Sequence, residues 1–242
     1  MKILAIDTSN HPLAIALVED GKLLATTTYN MVKNHSIYVM PTIDQLMKQV
    51  HWEPSDLDRV VVAQGPGSYT GVRIAVTTAK VLADTLNCEL VGVSSLAVLA
   101  ANVPPTSQAT IVPFFDARRG NVYAGGYHWQ DGRLVQRFAD THVAMTDLVE
   151  QLKDQQQPFL MVGELTKKIN QHFDGQFPAN IQLLPANYAL PSAYQLAMLG
   201  AVEKAVTDID GFVPHYLLLT EAEVEWKKQH PNAPHRNYVQ EV

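Results

Sequence analysis

A two-lobed α/β protein with mixed sheets is what the sequence predicts, and three observations predict it. The order strand, strand, strand, helix, strand, helix can be read twice along the chain. Asp7 and Asp116 each close the first apolar run of their half, and Asp20-Gly21 and Asp131-Gly132 each mark a tight turn between the next two runs. Val60 to Val62 is a β-branched run that passes through Gly65-Pro66-Gly67 into a helical pattern, as a buried parallel strand feeding a helix would. Hairpin strands beside such a parallel strand make each sheet mixed.

The elements follow in order. Lys2 to Ile6 is an apolar strand, Leu13 to Val18 a second, and Leu23 to Tyr29 a threonine-rich third. A helix is expected from Ser36 to Val50, then the strand at Val60, a helix from Tyr69 to Leu86 and a strand from Leu90 to Val93. Val103-Pro104-Pro105-Thr106-Ser107 reads as a linker, which divides the chain into an N-terminal lobe, residues 1–105, and a C-terminal lobe, residues 106–242. Strands are then expected at Thr110 to Phe115, Asn121 to His128 and Leu134 to His142, a helix at Thr146 to Asp154, and a strand at Phe159 to Val162. Helices near Leu165 to Phe173 and Ser192 to Val206 complete the second half, and Trp226 to Val242 is expected to be a loose tail.

Composition narrows the function. The net charge of −6 argues against a stand-alone nucleic-acid binder. Cys88 is the only cysteine, which excludes an intrachain disulfide and a multi-cysteine metal site. The chain runs into a strand from its first residues and holds no long apolar segment, so a cytoplasmic protein with no membrane contact is expected.

The stretch around Gly65 carries the strongest signal. Its glycines let the backbone turn sharply, and Ser68 or Thr70 can cap the helix that follows. Amide groups at such a helix start can hold a phosphate, or the stretch can be a tight turn with no ligand. It matches neither the dinucleotide fingerprint nor a Walker loop. No serine sits in Gly-x-Ser-x-Gly, and Glu89 beside Cys88 raises the thiol pKa.

Gly65-Pro66-Gly67-Ser68-Tyr69-Thr70-Gly71-Val72-Arg73-Ile74 resembles the signature of the TsaB (YeaZ) family. Asp7-Thr8-Ser9, Val91-Gly92-Val93-Ser94-Ser95-Leu96 and Asp116-Ala117-Arg118-Arg119-Gly120-Asn121-Val122-Tyr123-Ala124 agree with it, in family order. The resemblance implies an actin-like (ASKHA) fold of two duplicated ribonuclease-H-like sheets. It implies a non-catalytic activating subunit for N6-threonylcarbamoyladenosine (t6A) formation in tRNA, partnering a TsaD transferase. A TsaE-type ATPase would join that assembly, the chain alone would form a homodimer, and tRNA would be met only through the complex. The competing readings are an ATP-using kinase or ATPase of the same fold and, last, a metallopeptidase.

A nucleotide or phosphate site would draw on Asp7, Thr8, Ser9, Gly65, Gly67, Ser68, Arg118 and Arg119. Asp7 would help hold Mg²⁺ near the phosphates, or it caps a turn. The two arginines would meet phosphate or carboxylate, or pair with an acid such as Asp116. No cofactor is expected to be required, with weak ATP or ADP plus Mg²⁺ as the most that the fold resemblance allows. The catalytic TsaD relatives carry His-x-x-x-His where this chain has Ser95 and Leu99, so no metal site and no catalytic residue is expected. Ile37, Tyr38, Met40 and Met47 form a second apolar side on the helix from Ser36, while Val39, Ile43, Leu46 and Val50 face the core. Such a helix is either sandwiched or covered by a partner, and the resemblance points to a partner. Leu218 stands where the family usually carries an arginine, which puts any contact through that position in doubt.

Overall fold

A computed structural model describes residues 1–30 and 34–218 of the chain. The N-terminal sheet comprises β1 (Lys2–Asp7), β2 (Leu13–Glu19), β3 (Lys22–Tyr29), β4 (Arg59–Ala63) and β5 (Glu89–Val93), in the order β3-β2-β1-β4-β5. β1 pairs antiparallel with β2 and parallel with β4, which pairs parallel with β5. The helices α1 (His35–Gln49) and α2 (Tyr69–Leu86) cover one face, with Val39, Ile43, Val72, Val76 and Ala79 meeting Leu4, Ile6, Ile15 and Val62.

After the short α3 (Ser95–Ala100) the pattern repeats. β6 (Thr110–Asp116), β7 (Asn121–Gln130), β8 (Arg133–Ala144), β9 (Phe159–Val162) and β10 (Ile181–Leu183) lie in the order β10-β9-β6-β7-β8. Read from its other edge this is the N-terminal sheet again. α4 (Met145–Lys153) covers one face through Leu148, Val149 and Leu152. The duplication expected from element order is therefore present in both pairing and direction, and it is the actin-like arrangement.

The helices that follow each sheet cross over. α3 packs Leu96, Leu99 and Ala100 against Ile111, Phe115 and Tyr127 of the second sheet. α5 (Ala193–Val202) returns to the first sheet, where Leu196 and Ala197 meet Ile3, Ala5, Val61 and Val91. Gly200 permits that approach, since a Cβ there would lie 2.2 Å from Val61 Cγ1. Arg59 fastens the end of α5: its Nη1 donates to the carbonyls of Gly200, Ala201 and Glu203 at 2.6, 3.2 and 3.1 Å, and its Nη2 lies 2.6 Å from Glu89. Residues 203–218 then run along the same lobe, with Ile209 and Phe212 against its core. β1–β5 lie before residue 105 and β6–β10 after it, while residues 193–218 pack on the first lobe.

Two expected helices need correction. Leu165 to Phe173 forms turns, not a helix. Thr166 ties its hydroxyl to Asp116, Ile169 and Phe173 drop into the core, and Asp174-Gly175 ends the segment. The helix expected from Ser192 to Val206 stops at Val202, where Arg59 takes its last carbonyls. β10 follows no sequence signal we read, being only Ile181–Leu183. The expected tail at Trp226 to Val242 lies outside the described residues.

Candidate functional site

The strand-end loops of both lobes face one cleft. Asp7 closes β1 and Asp116 closes β6, and each builds the same turn: Asp7 Oδ1 accepts from Ser9 N at 2.8 Å, and Asp116 Oδ1 from Arg118 N at 2.7 Å. A cavity of about 580 Å³ lies between the lobes, lined by Asn10 and His11 on one side and Asp116, Glu164, Thr166 and Asn187 on the other. A neighbouring cavity of about 400 Å³ shares Asn10 and Asp116 and adds Gly67, Ser68, Thr70, Arg118, Tyr123 and Leu218. Gly67, Ser68 and Arg118 thus line one cavity across the cleft.

The glycine loop is built against the protein itself. Ser68 N donates to Ser9 O at 2.6 Å, and Thr8 Oγ1 donates to Gly71 O at 2.7 Å. A Cβ on Gly67 would stand 2.0 Å from Ser9 O, and one on Gly71 2.1 Å from Thr8 O. Gly65 adopts φ +107, and its side-chain direction is closed by the His215 carbonyl at 2.5 Å. Ser68 caps α2, accepting from Gly71 N at 3.4 Å. The space beside these glycines is therefore filled by the chain's own backbone, Thr8 and Ser9 after β1 and His215 near the described end, and the amide of Ser68 is already bound.

This closure seals Asp7, Thr8 and Ser9, each no more than 1% exposed. Asp7 Oδ2 and Ser9 Oγ are buried without a hydrogen-bond partner. Burial pushes the Asp7 carboxyl above its ordinary range, with the Ser9 amide pulling the other way. A carboxyl so enclosed does not fit a hydrated Mg²⁺ ion, which needs open space for its waters. The turn-capping alternative for Asp7 is the one its geometry fits.

Arg118 and Arg119 occupy the β6–β7 turn with φ 70 and 53 and are exposed. Asp116 spends its oxygens on Arg118 N and on the Thr166 hydroxyl at 2.6 Å, not on either guanidinium. At the places of the two TsaD histidines, Ser95 Oγ accepts from Gly65 N at 3.0 Å and Leu99 is core. Neither fits a metal-ligand role. Cys88 is half-buried, and burial first, then Asp58 and Glu89, raises its thiol pKa.

On α1 the two sides separate as expected, with one correction. Ile37, Tyr38 and Met40 are 61%, 47% and 48% exposed. Met47 is 6% exposed and packs in the core with Ile43 and Trp52. It lies seven residues from Met40 and nearly in line with it, but the chain that leaves the helix turns back over it, with Trp52 N donating to Met47 O at 3.0 Å and Trp52 and Leu57 packing in the same cluster. Met40 and Met47 nevertheless line one groove, with Trp52, Leu82 and Leu86.

Sequence reading missed Asn10, Tyr123, Glu164 and Thr166 of the cleft, and the surface stack of Tyr69 on Tyr216 with Arg73 4.3 Å above the Tyr69 ring. Asn10 follows Asp7-Thr8-Ser9 directly, so the strand-end signal could have been carried one residue further. Tyr216 and Arg73 are distant in sequence and gave no such sign.

Two ribonuclease-H-like sheets, crossed helices and paired Asp turns at one cleft define an actin-like two-lobed protein. A family model described as "TsaD: tRNA N6-adenosine threonylcarbamoyltransferase" matches residues 22–226. The chain is 43% identical over 226 residues, 93% of its length and 98% of the relative's, to the tRNA threonylcarbamoyladenosine biosynthesis protein TsaB of Bacillus subtilis. It is similar to the solved structure of YeaZ from Pseudomonas aeruginosa, with TM-score 0.73 and 26% identity, covering 89% of this chain and 99% of that one. The ethanolamine utilization protein EutJ from Carboxydothermus hydrogenoformans shares the fold alone, with TM-score 0.50 and 13% identity over 83% of this chain and 90% of that one. The chain belongs to the TsaB (YeaZ) family.

Proposed function

We propose that this chain is a non-catalytic subunit of the machinery that forms t6A in tRNA, and that it holds a TsaD-type transferase in its active arrangement. The observation that carries this reading is end-to-end similarity to the Bacillus subtilis protein named for that pathway. Two features of the site support it. Ser95 and Leu99 serve the glycine loop and the core where the catalytic relatives carry histidines. The glycine loop closes on Ser9 and seals Asp7, an arrangement suited to a rigid platform more than to phosphate transfer.

The partner surface in this reading is the exposed side of α1, with Ile37, Tyr38 and Met40 at its centre. The same surface pairs two copies when the transferase is absent. A TsaE-type ATPase joins the assembled complex, tRNA is met through that complex, and the setting is the cytoplasm. No cofactor is required. ATP or ADP with Mg²⁺ binds weakly at most, beside Arg118 and Ser68 and without a ligand from Asp7. The test is co-purification with a TsaD-type partner, followed by a tRNA modification assay with and without this chain. The expected result is a stable complex and modification that depends on it. Modification by the partner alone at full rate, or ATP turnover by this chain alone, would overturn the reading.

A further inference from the structure

A crevice lined by Ser94, Tyr127 and Gln136 borders a polar cluster, none of whose residues lines the cleft. Its centre is Asp140 of β8. Tyr127 donates its hydroxyl to Asp140 Oδ1 at 2.6 Å, Ser94 Oγ donates to Asp140 Oδ2 at 2.5 Å, and Gln136 Nε2 lies 3.2 Å from Oδ1. The chain is shaped for this. Ala124 pairs with Thr141 and Gly126 with Phe138, so Ala139 and Asp140 stand opposite Gly125 alone, a bulge that turns the Asp140 side chain back over β7. Gly125 leaves the room, since a Cβ there would lie 2.1 Å from Asp140 Oδ1.

Ser94 is where the first lobe hands over to the second. It follows the last residue of β5 and caps α3, accepting from Leu96 N and Ala97 N. Its buried neighbour Ser95 holds the glycine loop: Ser95 Oγ accepts from Gly65 N at 3.0 Å, and Ser95 N donates to Gly65 O at 2.9 Å. Two adjacent serines thus grip two different structures, the bulged hairpin of the second lobe and the glycine loop of the first.

We infer that Asp140, Ser94 and Ser95 form a latch that couples the β7–β8 hairpin to the glycine loop in the cleft. A displacement of the hairpin moves Ser94, and Ser95 cannot stay on Gly65 when its neighbour moves. The latch makes the cleft loop responsive to whatever engages the edge strand β8, and it stands on this geometry whether or not the chain acts in tRNA modification.

Amide hydrogen exchange on the full chain tests it. Asp140→Ala removes the acceptor that three groups share, and it is expected to speed exchange in the peptide spanning residues 64–72 by about tenfold while β1 and β2 keep their protection. Asp140→Asn, which keeps the shape, gives a smaller effect and guards against a variant that fails to fold. Ser94→Gly keeps a serviceable helix start but loses the hydroxyl, and reproduces the acceleration. The double variant Ser94→Gly/Asp140→Ala goes no further than either alone. Acceleration confined to β7 and β8, a uniform rise through both lobes, or additive effects in the double variant would each overturn the latch.

Discussion

Replacing Gly67 by alanine separates a loop built for architecture from one built for phosphate. The new Cβ would stand 2.0 Å from the Ser9 carbonyl oxygen and 2.9 Å from its carbon. Both are backbone atoms of the turn that follows β1, so neither side can swing away as a flexible side chain would. Forcing extra carbon into such a contact costs about 1–3 kcal/mol. Separating the backbones also stretches the bond from Ser68 N to Ser9 O, now 2.6 Å, a loss of about 1 kcal/mol. Alanine returns about 0.5–1 kcal/mol by restricting the unfolded chain. The net is about 1–3.5 kcal/mol, which in a chain of this size lowers Tm by about 2–14 °C. The assay is thermal melting of both proteins with and without ATP and Mg²⁺. The variant is expected to melt lower by the same interval in both conditions, and partner-dependent tRNA modification to fall with the folded fraction. An unchanged Tm without nucleotide, together with loss of a several-degree ATP stabilisation present in the parent, would refute the reasoning and make the loop a working nucleotide site.

Asp7→Asn keeps an acceptor for Ser9 N but removes the sealed charge. Because burial raises the folded-state pKa above the ordinary 3.8, stability falls as pH rises from that value through the raised one, so the variant should melt higher than the parent near pH 8, with the gain vanishing toward about pH 4. Melting curves across that range check the sign. Met40→Asp should leave Tm within about 1 °C, since the side chain is 48% exposed, yet abolish self-association or partner capture in size-exclusion chromatography. Met47→Asp should instead unfold the lobe, as burial of a carboxylate among Ile43 and Trp52 demands. Arg59→Met leaves three carbonyls at the end of α5 and the Glu89 carboxylate without their donor and should cost about 2–4 kcal/mol by urea denaturation.

The fold was legible wherever pattern and neighbour agreed. Tyr69–Leu86 begins and ends where periodicity and capping put it, because Ser68 is a true N-cap and Asn87 a left-handed C-cap, and Phe159–Val162 coincides with its apolar run. The paired Asp turns announced the duplication. Contacts between distant segments were not legible. No local signal says that Ala193–Val202 leaves the second lobe, and in Leu165 to Phe173 the turns are tied by contacts remote in sequence, Thr166 to Asp116 of β6 and Ile169 and Phe173 in the core. In the site, residue types named Gly67, Ser68 and Arg118, and the cleft brings them together. What they could not reveal was that Gly67 is small for the sake of Ser9, because a glycine admits a phosphate and a carbonyl oxygen on equal terms.

The return of α5 to the first sheet has a consequence for synthesis. During translation β1 to β5 emerge first, and one side of their sheet, with Ile3, Ala5, Val18, Val61 and Val91, is bare until residues 193–202 leave the ribosome. About a hundred residues of second lobe must be made in between, at roughly 5–20 residues per second. The nascent chain therefore carries an open greasy surface for several seconds, and a fragment ended at the linker would keep it permanently. Such a fragment belongs in inclusion bodies or on a chaperone. Supplying residues 193–218 as a separate peptide is the obvious way to draw it back into solution.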